Sequence, residues 1–91
     1  MKGEQVDPES FGISGRTIIE RTGPHSYAIV IDRKSRIIMA DGMKIAEKAG
    51  KIKSVEKGAG VILRTTAPVC SKTLAFLTEK GIKVEMTIDN G

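Results

Sequence analysis

At 91 residues, with 40% hydrophobic and 29% charged side chains, the chain has the size and mixed composition of one small soluble domain, which excludes a second. One cysteine rules out an internal disulfide, no Cys/His cluster has metal-ligand spacing, and a reducing, cytoplasmic setting is the expectation. No apolar run approaches the ~18 residues of a spanning helix, and residues 1–5 lack the hydrophobic stretch of a signal peptide, so no membrane association is expected.

The net charge of +4 is mild, but its distribution is not even. Residues 33–58 hold eight basic and three acidic side chains, while residues 1–13 hold one Lys and three acids. The basic members of the middle segment are Arg33, Lys34, Arg36, Lys44, Lys48, Lys51, Lys53 and Lys57. Such a segment attracts phosphates through counterion release. Against nucleic-acid binding stands the near absence of aromatic side chains for base stacking: only Phe11, Tyr27 and Phe76 occur. A lysine-rich solvated face is the plainer reading.

In chain order, residues 1–13 carry Pro8, three acids and two glycines and read as a flexible N-terminal arm before a single α/β domain over 14–91. Residues 16–21 are short and β-branched, and they stop at the turn cluster Thr22-Gly23-Pro24-His25-Ser26; they predict a first strand. Tyr27-Ala28-Ile29-Val30-Ile31-Asp32 shows no polar alternation and predicts a central strand covered on both faces. Arg33-Lys34-Ser35 reads as a tight connection, from which Arg36-Ile37-Ile38-Met39-Ala40 returns as a third strand in a hairpin. Residues 43–49 then place Ile45 and Ala49 on one helical face, with Asp41 as N-cap and Gly50 as the stop; residues 51–58 either extend the helix past Gly50 or form a basic loop, of which the loop is the preferred reading.

The second half predicts a strand over 61–66, a helix from about Pro68 to Lys80 ended by Gly81, and an alternating strand over 82–88, which together form a βαβ unit with parallel strands. The fold class that follows is mixed α/β: about five strands and two helices, an N-terminal β-meander followed by a βαβ unit.

If the hairpin across residues 33–35 forms, His25 and Ser26 fall beside Asp41 at the start of the first helix, and the carboxyl ends of the strands gather Asp41, Thr65, Thr66, Cys70, Ser71 and Asp89 there too. Each has a duller role. His25 follows Gly23-Pro24 in a turn, where an exposed histidine needs no task, and Asp41 does enough by capping a helix. Cys70 falls in the apolar arc of the second helix, as a buried thiol does, and the hydroxyls of Thr65 and Thr66 satisfy helix-end amides. Gly58-Ala59-Gly60 precedes a strand and so cannot cradle a phosphate as a dinucleotide or P-loop motif does.

The leading expectation is a small non-enzymatic binding module whose strand-end edge takes a small anionic ligand or a partner protein's acidic group through His25, Ser26, Asp41, Thr65, Thr66 and Ser71. Two alternatives stand beside it. One is nucleic-acid (RNA) binding through Lys44, Lys48, Lys51, Lys53 and Lys57; the other is a small hydrolase or transferase using His25, Asp41 and Cys70. No motif indicates a metal or another cofactor.

Overall fold

The computed structural model describes residues 4–86. The strands are β1 (Glu4–Val6), β2 (Ile18–Gly23), β3 (Ser26–Ile31), β4 (Gly60–Thr65) and β5 (Lys83–Met86), and the helices are α1 (Met39–Val55) and α2 (Ser71–Glu79). The sheet keeps sequence order, β1-β2-β3-β4-β5. Its first three strands form an antiparallel meander, and β3, β4 and β5 run parallel, joined by α1 and α2. This is the expected class, a mixed five-stranded sheet with two helices.

One of the five strands is not an expected one. Residues 36–40 form no hairpin with β3. Ile37 makes a single parallel bridge to Val69, its amide donating to Pro68 O (2.9 Å) and its carbonyl accepting from Cys70 N (3.0 Å). Both backbone groups of Ile37 are therefore used on the loop after β4, and none remains for β3. Ile37 is buried while Ile38 stays exposed, and Met39 already opens α1. The apolar run that imitates a strand is one core residue followed by the exposed start of a helix.

The missing strand comes from the N-terminal stretch. Residues 4–6 pair with β2, and a short 3-10 helix (Pro8–Phe11) follows, capped by the Asp7 side chain. Phe11 packs edge-on against Tyr27 at 5.4 Å between ring centres, and Ile13 is buried beside it. The stretch expected as a flexible arm thus contributes two apolar anchors. Aromatic burial of this kind contributes roughly 1.5–3 kcal/mol per side chain, which offsets the ordering of a few residues.

Helix α1 runs through Gly50 to Val55, so neither the predicted stop nor the basic loop over residues 51–55 is present. No positive φ ends the helix at Gly50, and the apolar spacing Ile45, Ala49, Ile52 continues past it into the core. Asp41 is not the N-cap either. Ile38 is, and Asp41 sits three positions later, accepting the Ile38 amide at 3.0 Å. Helix α2 ends as predicted. Gly81 takes φ +78°, its amide bonds Thr78 O, and Ile82 N bonds Leu77 O, a Schellman closure that also buries Ile82 against Leu77.

Both helices lie on one face, starting side by side. Gly42 makes this possible: a Cβ there would stand 2.7 Å from Thr73 Cγ2. The other sheet face carries no helix, so β3 is covered on one side only by a layer. Its outward Ala28 is nevertheless fully buried, because Arg64 on β4 reaches across β3 to Glu20 on β2 (3.1 Å) while also meeting Glu85 on β5 (3.5 Å).

A candidate anion-binding edge

The parallel register places Ser26 beside Gly60 and Ile31 beside Thr65, so the amino ends of β3 and β4 form one edge and their carboxyl ends the other. At the carboxyl edge the two outgoing loops are tied together. The Thr66 amide bonds Ile31 O (3.2 Å), its hydroxyl donates to Asp32 Oδ1 (2.8 Å), and the Ile37 bridge to residues 68–70 completes the seam. Thr65 turns its hydroxyl inward to accept the Ala67 amide (3.0 Å), a loop amide three residues before the N-cap of α2 and not the helix-end amide expected, while the Thr66 hydroxyl serves Asp32.

Arg33 is the hub of the loop after β3. Its Nε and Nη2 reach back to Ser35 O and Arg36 O (both 3.2 Å), and Nη2 also meets Asp41 Oδ2. That guanidinium, followed by the Ile38 amide, holds the Asp41 carboxyl below the ordinary carboxylate range. A fixed fork of this kind is a cation whose position is set before any ligand arrives. Asp32, Arg33, Lys34 and Thr66 line an open cleft of about 580 Å³ on this edge.

Of the residues expected to bind a ligand, Thr66 alone lines this cleft. Asp41 acts on it through Arg33, Thr65 shapes the loop behind it, and Ser71 stands exposed at the start of α2. Cys70 is the N-cap of α2 rather than part of an apolar arc, because the helix starts at Ser71 and not at Pro68. The thiol is half-buried, and the amides of Lys72 and Thr73 hold its pKa below the ordinary thiol range, with smaller help from the Thr73 hydroxyl and the Arg36 charge. Asp89 lies outside the described residues.

His25 and Ser26 belong to the opposite edge. The six residues of β3 separate them from the Thr66 loop by roughly 16 Å at strand rise. This corrects the expected pocket: without the hairpin, nothing folds Asp41 back to residue 25. The enzymatic trio of His25, Asp41 and Cys70 is consequently not assembled. His25 Nδ1 instead lies 3.4 Å from Glu56 Oε1, just past the end of α1. The Tyr27 phenol and the Glu56 carboxylate also act on one another, which holds that carboxyl below its usual range and pushes the phenol above its own.

The expected lysine set divides as well. Lys44, Lys48 and Lys51 fall on one flank of α1 and, with Ile13, Ser14 and Glu47, line a depression of about 220 Å³. Lys53 lies on the other flank, its Nζ beside Gly81, and Lys57 sits in the turn before β4. Arg33, Lys34 and Asp32 were missed by sequence reasoning, which used residues 33–35 as a hairpin turn. The available signal was their place directly after an uninterrupted apolar strand, where α/β sheets bind ligands.

Among the described residues no three His, Cys, Asp or Glu side chains are grouped to hold a metal ion, and no helix is long and apolar enough to cross a membrane. Comparison of the chain with family models, curated proteins and solved structures finds no match.

Proposed function

We propose that the protein is a small non-enzymatic binding module whose carboxyl-edge cleft takes an anionic group, either a small ligand's or a partner protein's. The supporting observation is the cleft itself: Arg33 held in place by Asp41, Lys34 beside it, and Thr66 across from them at the ends of two parallel strands. Arg33 supplies a preset fork, and Lys34 supplies an exposed flexible ammonium that closes on the bound anion. The unpaired Cys70 fits a reducing compartment, and we place the protein in the cytoplasm.

Titrating isotope-labelled protein with inorganic phosphate while following amide resonances tests this reading. Shifts are expected at residues 32–36 and 66, and Lys34→Glu is expected to remove them. Shifts confined to the His25–Glu56 edge, or none at millimolar phosphate, overturn it.

A further inference from the structure

The cleft does not end at Asp32. Asp32 also belongs to a neighbouring depression of about 430 Å³, bounded by Ser14, Arg16, Thr17, Ile18, Ile29 and Lys48 among others. Ser14 and Lys48 in turn belong to the depression along the α1 flank that holds Lys44 and Lys51. The three hollows adjoin one another through these shared residues and together outline a groove. It runs from the ends of β3 and β4, past the start of β2, and along the helix.

Its cations are Lys34 and Arg33 at one end, Arg16 in the middle, and Lys48, Lys44 and Lys51 at the other. Arg16, Lys34, Lys44 and Lys48 make no salt bridge within 4.0 Å among the described residues. Both carboxylates on the walls are already engaged, Asp32 by the Thr66 hydroxyl and Glu47 by Lys51 at 3.8 Å. Six cations against two carboxylates leave the groove with an excess of positive charge spread along its length, which suits a chain of anions better than a single one. We infer that it follows the phosphates of a single strand of nucleic acid. The walls of this groove hold no aromatic side chain, so recognition rests on the backbone and is independent of base sequence. This inference rests on the anion reading of the cleft and extends it.

The test is fluorescence anisotropy of a labelled mixed-sequence RNA oligonucleotide of about a dozen bases at low salt, beside the phosphate titration above. If four to six cations each meet a phosphate, log affinity falls against log salt with a slope of roughly −3 to −4, at ~0.7 per contact for single strands. Lys48→Glu and Arg16→Glu are each expected to weaken binding about tenfold. Lys53→Glu, on the opposite flank of α1, is expected to change it less than about twofold, and this charge-matched control separates the groove from mere net charge. Phosphate shifts in the cleft with no oligonucleotide binding, or with binding that Lys53→Glu weakens as much as Lys48→Glu, overturn the groove and leave the cleft standing. Loss of both signals removes both readings. Binding to anionic phospholipid vesicles without binding to RNA assigns the basic flank to a membrane surface and overturns the inference.

Discussion

The two edges of the sheet carry similar inventories and differ in how they are built. Each has a carboxylate, a cationic or ionisable nitrogen and a hydroxyl: Asp41, Arg33 and Thr66 at the carboxyl edge, Glu56, His25 and Tyr27 at the amino edge. Asp41 lies in the first turn of α1, where the helix dipole favours its charge, and it bonds a backbone amide as well as a guanidinium. Glu56 lies just past the last turn, where the dipole opposes it, and its imidazole neighbour is mostly exposed. The same residue types thus give a fixed, cation-bearing cleft in one place and, in the other, a carboxylate set between a buried phenol and an exposed imidazole. What distinguishes them is the direction of the strands, because loops leaving parallel strands lead into helix starts, while the amino edge receives helix ends.

The comparison is broken most strongly at Gly42. Replacing it with Ala sets a methyl 2.7 Å from Thr73 Cγ2, with Phe76 close behind, so the two helix starts must separate. The expected cost is about 1–3 kcal/mol, as for overpacking elsewhere, and urea unfolding measures it. Phosphate binding at the carboxyl edge should fall with it, while the amino-edge resonances stay in place. Asp41→Asn acts next, costing about 1 kcal/mol at neutral pH for a partly exposed ion pair with one backbone bond. Its pH dependence has a definite sign. The folded-state pKa of Asp41 is depressed, so its contribution is present above the ordinary aspartate value of ~3.9 and is lost as pH falls through the folded value. Wild-type and variant stabilities should therefore converge in acid and separate towards neutrality.

How the edges are told apart also shows what the sequence made legible. Strands β2, β3 and β4, the helix after β4 and the Gly81 stop all follow from local pattern, because turn residues, β-branched runs and a Gly C′ leave little choice. Residues 36–40 do not, since Ile37-Ile38-Met39 has the composition of a strand. Its actual state is decided by backbone bonds to Pro68 and Cys70, more than thirty residues away in sequence. Only a hairpin there would return the chain to His25, and without it His25 and Asp41 stand at opposite edges of the sheet. Residues 4–13 hid for a similar reason: their apolar content is small, and only the tertiary contact of Phe11 with Tyr27 gives it weight. The composition of residues 33–58 showed the positive charge, but not that Lys44, Lys48 and Lys51 share a flank which Lys53 does not. That required α1 to continue past Gly50.

Gly50 is the counterpart of Gly42 on the same helix. A Cβ there meets nothing within 4 Å, and the position is exposed and helical. Gly50→Ala should stabilise the protein by about 0.5–1 kcal/mol through lower backbone entropy of the unfolded chain. It should leave phosphate binding unchanged, whereas Gly42→Ala should change both.

The smallest effect is at the amino edge and has the cleanest readout, because Tyr27 is the only tyrosine and the chain has no tryptophan. The interaction with the Glu56 carboxylate raises the Tyr27 pKa first, then burial, then the Glu56 charge, while Arg21 pulls it down. Glu56→Gln removes the carboxylate charge that raises the phenol, so Tyr27 should ionise at lower pH, nearer its ordinary value of ~10. Arg21→Gln should move it the other way. The pair's contribution to stability has limits on both sides. The depressed Glu56 pKa makes it fade as pH falls below the ordinary glutamate value of ~4.3, and the raised Tyr27 pKa makes it fade as pH rises above ~10. Ultraviolet titration of phenolate absorbance in the three proteins measures these shifts directly. If Glu56→Gln leaves the Tyr27 titration unmoved, the carboxylate does not hold the phenol, and the amino edge is a set of unconnected surface groups.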